Sequence, residues 1–192
     1  MKRVAVSSAL ALTVLLLGAA ATAPTAYKID PVHSSALYKV NHLGVSNSYG
    51  FFPDISGTVT FAADALDASS IEVKVNAASV HSFSEARDKH LSTADFFDVE
   101  KHPLMSFKSS KWEKKEGQVY TVTGDFTMLG TTKPVTVEAT LIGTGKGRKG
   151  EALIGFESTF QIKRSDYGMG GMVPAIGDEV DITVSIEAAA QP

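Results

Sequence analysis

Residues His90 to Phe107, HLSTADFFDVEKHPLMSF, crowd two histidines, carboxylates and adjacent phenylalanines into one short irregular segment. Asp95 and Asp98 are candidates for paired carboxylates of the kind that cleave glycosidic bonds. Asp95, however, stands where an acid favours a helix N-terminus, and Asp98 follows two aromatics of core type. The histidines are His33, His42, His81, His90 and His102. None forms the i, i+4 pair or the His-Glu-x-x-His run of a helical metal site. His33, His42 and His90 are expected to make hydrogen bonds at the ends of strands or of the helix, and no metal site is assigned. No Gly-x-Ser-x-Gly elbow occurs, and with no cysteine there is no thiol chemistry. Gly145–Gly150, GKGRKG, fits Gly-x-Gly-x-x-Gly. A strand pattern follows it where a dinucleotide fold needs a helix, so it reads as a basic hairpin turn. No catalytic residues are assigned, and an enzyme is not expected from these residues.

The elements around these residues alternate with period two. Ile71, Val73 and Val75 lie opposite Glu72, Lys74 and Asn76. Val135, Val137, Ala139 and Leu141 form a second stripe; Phe156, Ser158, Phe160 and Ile162 a third; Val180, Ile182, Val184 and Ile186 a fourth. Weaker strands are expected over 35–40, 57–62, 104–112 and 118–128. About eight strands joined by short turns predict an all-β antiparallel meander closing as a barrel or sandwich. One helical insertion interrupts it. Ser82-x-x-Glu85 fits a capping box before SEARDKHLS, and Pro103 ends any helix before the next strand. Tyr167–Ile182 is a glycine-rich loop bearing Met169 and Met172, either packed over the core or gating a ligand.

Residues 1–23 carry Lys2 and Arg3, then an apolar run ending in small residues, the order of a secretory signal peptide cleaved near 21–26. The chain has 192 residues, 18 Lys and Arg against 21 Asp and Glu, and no basic cluster larger than KGRK. A nucleic-acid partner is not expected.

The spaced motifs resemble the YceI-like proteins. They run Asp30-x-x-His33-Ser34, Val40-x-His42, Gly50-x-Phe52 and Gly57. Then come Arg87-Asp88-x-His90-Leu91, Ser92-x-x-Asp95-Phe96-Phe97-Asp98 and Pro103. Gly124, Gly130-x-Thr132-x-Pro134-Val135, Arg164-Ser165-Asp166-Tyr167-Gly168 and Gly177-Asp178-Glu179-Val180 complete the set over residues 27–188. His102 departs from a frequent Tyr before the proline, and Phe61-Ala62 from a frequent Phe-Asp.

The resemblance implies an eight-stranded, lipocalin-like antiparallel barrel of the periplasm. Its apolar lumen would carry a polyisoprenoid or another long-chain lipid, with no other cofactor. An enzyme or stress-related factor acting on isoprenoid-quinone-type lipids is the alternative. Family analogy adds a membrane cytochrome b or quinone-linked partner; the chain is expected as monomer or homodimer. The expected lumen is Val73, Val75, Phe96, Phe97, Phe107, Phe126, Val137, Phe156, Phe160, Ile162, Met169, Met172, Ile182 and Val184. Candidate headgroup residues are Arg164, Asp166, His33 and His42. For Arg164 an internal pair with Asp166, Asp178 or Glu179 competes with that role. A lipid-facing outer-membrane barrel is the remaining arrangement that alternation permits.

Overall fold

The computed structural model describes residues 23–191. The first 22 residues, which hold nearly all of the expected export signal, lie outside the described residues. Ten strand segments follow: β1 (Thr25–Ile29), β2 (Ser35–His42), β3 (Ser46–Phe52), β4 (Ile55–Phe61), β5 (Ser70–Asn76), β6 (Leu104–Glu116), β7 (Val119–Met128), β8 (Thr131–Lys146), β9 (Ala152–Lys163) and β10 (Ile176–Ala190). All pair antiparallel in one sheet. β10 pairs with β2 through its first half and with β1 through its last residues. β4 pairs with β1, and β3 with β2. β1 with β2 therefore acts as one bent strand, and β3 with β4 as its neighbour. The ten segments make a closed barrel of eight strands. Closure satisfies the edge groups that an open sheet leaves bare.

The pairing that closes the ring is thinnest at one place. β4 pairs with β5, but β3 has beyond it a single bridge, Phe51 to His81. The segment between β5 and β6 occupies this side and carries α1 (Glu85–Leu91). The helix starts later than the sequence predicts. Phe83 takes a positive φ of 64°, which turns the chain. Ser84 then caps α1 by accepting from Arg87 N–H. Ser82 is fully buried instead, and its hydroxyl donates to Asp88.

The apolar stripes point inward. The outer wall carries threonine pairs such as Thr123–Thr136 and Thr159–Thr183, and ion pairs such as Lys39–Asp181 and Lys74–Glu72. That is the reverse of a lipid-facing barrel, whose outer band is apolar. A register shift between Ser109 and Lys111 turns Trp112 inward, where strict alternation would place Lys111.

One end of the barrel is packed solid. Phe61 meets Tyr120 and Phe156 edge-on at 5.3 and 5.2 Å, and Trp112 meets Phe156 at 5.6 Å. Such offset and edge-on pairs add to the apolar area they bury. Trp112 satisfies its indole N–H by donating to Ser109 Oγ at 3.2 Å.

Candidate functional site

Between that aromatic plug and the opposite end lies a cavity of about 370 Å³. This is within the size range of small-molecule sites. All fourteen residues expected in the lumen line it, from Val73 on β5 to Val184 on β10. Burial distinguishes this space from a close-packed core. Val180, Ile182 and Val184 point inward yet are only half-buried, while Ile55 and Val59, away from the cavity, are fully enclosed. The β10 side chains border empty space rather than other side chains. Deep in the wall, the Ser158 hydroxyl is buried with no hydrogen-bond partner.

Three segments rim the mouth: α1 with the turn after it, the β2–β3 end, and the methionine loop. Phe96 is 6% exposed, and Phe97 packs edge-on against Phe52 at 5.3 Å. His90 Nε2 lies 2.9 Å from an Asp95 carboxylate oxygen, and its ring stands edge-on to Phe96. Asp95 thus pins the helix end rather than favouring a helix N-terminus. Asp98 pairs with Lys101 at 2.9 Å. The crowded segment that resembles an active site in sequence is the frame of the mouth.

Of the four headgroup candidates, only His42 and Arg164 border the cavity. His42 is exposed at the end of β2. Arg164 is 3% exposed, and its guanidinium donates to the carbonyls of Met169, Ile176 and Gly177 at 2.6, 2.9 and 2.9 Å. These are backbone oxygens of the methionine loop, not the acids expected to pair with it. Asp178 instead accepts from Ser165 N–H and Oγ–H. Burial pulls the Arg164 pKa below its ordinary value, and the charge of Asp178 opposes this. Arg164 is therefore the clasp of the loop, and its bound donors do not point to a ligand.

The other two candidates are corrected by geometry. Asp166 faces outward to Lys133 at 3.2 Å. His33 lies on the outer β1–β2 bend, with Nδ1 2.8 Å from Asp30 and 3.7 Å from Glu187. Alternation gives the face of a residue inside a strand but says nothing of residues beyond its end.

Among the polar lining residues absent from the sequence-based set, two at the mouth carry strong donors. Arg87 projects from α1, and Tyr38 from β2. Arg87 and His90 stand three apart on a short helix, a spacing that puts both on one face. That spacing was the available signal.

The geometry agrees with comparisons to known proteins. The model of the YceI-like domain matches residues 27–188. Protein YceI of Escherichia coli O157:H7 is 38% identical over 179 residues, 92% of this chain and 93% of that protein. The crystal structure of a Campylobacter jejuni YceI protein aligns with a TM-score of 0.71 at 31% identity, covering 79% of this chain and 90% of that one. The fold also matches a polyisoprenoid binding domain from Saccharophagus degradans, with a TM-score of 0.67 at 12% identity over 87% of this chain and 99% of that one. This chain belongs to the YceI-like family.

Proposed function

We propose that the protein is a periplasmic carrier that holds a polyisoprenoid or similar long-chain lipid in its barrel. The observation that carries this reading is the cavity itself. Apolar side chains of β2, β5–β10 and the insertion face unfilled space along its length. Each square ångström of chain moved there from water is favourable by about 25 cal/mol. A long hydrocarbon gains more from such a lumen than a compact ligand does. The described polyisoprenoid binding domain of similar fold supports the ligand class, and the apolar leader with its basic start supports export.

The carrier role needs a mouth that opens. The methionine loop is suited to this: Met172 is 57% exposed, and the loop holds to the β2–β3 end through the Leu43 N–H to Ala175 carbonyl bond at 2.7 Å. Unbranched methionine side chains adapt to differing chain shapes. Displacement of a fluorescent fatty-chain probe tests the proposal. Geranylgeraniol and a long-chain isoprenoid quinone should displace it, with tighter binding as the chain lengthens. Failure of every long-chain lipid to compete would refute the carrier function.

A further inference from the structure

Two arginines line the cavity, and the fold takes more of the donors of one than of the other. Arg164 spends three donors on loop carbonyls. Arg87 gives Nε–H to Ser82 Oγ at 2.8 Å and Nη2–H to the Ser82 carbonyl. Its Nη1 makes no hydrogen bond to another described residue, and no described carboxylate lies within ion-pair distance of it. The Asp88 carboxylate beside it is already engaged by the Ser82 N–H and hydroxyl. Ser82 therefore stands between the two charges: it ties down the acid and holds one edge of the guanidinium, leaving the rest of the exposed Arg87 at the cavity rim.

Tyr38 stands at the same mouth. Its ring lies directly over Gly50, where an added Cβ would fall 2.4 Å from the ring. Gly50 thus makes room for the Tyr38 ring at the cavity. The hydroxyl has no hydrogen-bond partner among the described residues. Burial pushes the Tyr38 pKa up, with Arg87 opposing and Asp88 reinforcing, so the group stays a neutral O–H donor at physiological pH. His90 borders the same rim, but its Nε2 is taken by Asp95.

We propose that Arg87 and the Tyr38 hydroxyl receive the head of the lipid at the mouth, and that they select an anionic oxygen head, a phosphate or carboxylate. This rests on the carrier reading. The chain occupies the apolar lumen toward the Trp112–Phe156 plug, and the head stays where two free donors and solvent meet it. A guanidinium edge matches paired anionic oxygens, and a phenol O–H adds a further donor. A neutral alcohol head gains little from the charge.

The test keeps the chain constant and changes the head. Geranylgeranyl phosphate, geranylgeranoic acid and geranylgeraniol are titrated calorimetrically into the purified protein, Arg87→Gln and Tyr38→Phe. The wild-type protein should bind the phosphate and the acid about tenfold or more tighter than the alcohol. Arg87→Gln should remove most of that preference and leave the alcohol's affinity within about twofold. A loss confined to the phosphate assigns a phosphoryl head, and an equal loss for phosphate and acid assigns any anionic oxygen head. Tyr38→Phe keeps the ring and should weaken both anions, which preserves the test if Arg87→Gln fails to fold. Equal affinity of the wild-type protein for all three heads, or an equal loss for all three in both variants, overturns the inference while leaving the carrier reading intact. Failure of all three to bind the wild-type protein refutes both.

Discussion

Arg164 donates its Nη1–H to the carbonyl oxygen of Met169 at 2.6 Å, across the turn that joins β9 to the methionine loop. Two further bonds, to Ile176 and Gly177, fasten the other end of that loop. Arg164→Met keeps much of the apolar stem and removes all three donors. Each buried carbonyl left without a partner costs about 1–3 kcal/mol. The melting temperature should fall by several degrees whether or not lipid is bound. A stability change seen only in the lipid-loaded protein would contradict the clasp role.

His33 gives a pH-dependent prediction. Its pKa is raised above the ordinary 6.5 by the hydrogen bond and charge of Asp30, and then by the charge of Glu187. Folding thus favours the protonated ring. That stabilisation is complete below about pH 6.5 and is lost as pH climbs through the raised value. The Asp30 pKa is lowered below 3.8, chiefly by the hydrogen bond to His33, so its contribution holds above 3.8 and fades as pH falls through the depressed value. His33→Ala should therefore lower the melting temperature between about pH 4 and 6.5 and match wild type at about pH 9. A constant gap across this range would contradict the linkage.

Gly57 sits at φ 147°, and an added Cβ would fall 1.9 Å from the Glu72 carbonyl oxygen on β5. Neither the backbone angle nor the space admits a side chain. Gly57→Ala should cost about 2 kcal/mol or more in urea unfolding, by forcing β4 away from β5. A neutral substitution would show that the β4–β5 approach is looser than described.

Ala139 faces the cavity from β8, opposite Ser158 on β9. Ala139→Phe places a ring in empty space, so stability should change by no more than about 1–3 kcal/mol. Long-chain lipid binding should weaken about tenfold or more. Retention of wild-type affinity would locate the lipid elsewhere.

Much of this architecture is legible in the sequence. All eight expected strands occur, because half-buried strands write their two faces as alternation, seen cleanly in Val119–Met128. β1 and β3 escape notice for physical reasons. β1 spans only five residues, and β3, SNSYGFF, replaces a side chain by Gly50 to admit the Tyr38 ring. The Ser82 capping box misleads because Phe83 reverses the chain before the helix begins. The lumen stripe is readable, since strand parity fixes which residues face inward. Alternation does not say whether they meet one another or enclose space; the half-buried β10 residues do. The polar mouth is less legible, because Arg87, Tyr38 and Ser82 are joined by turns and not by a sequence period.

The most direct measurement is the mass spectrum of the protein's own cargo. The protein is expressed in bacteria, purified without detergent, extracted with organic solvent and analysed. The account predicts a long-chain, isoprenoid-type lipid near one per chain, depleted in Ala139→Phe. An extract free of long-chain lipid, from a protein that also takes up none with a midpoint below about the millimolar range, would contradict it.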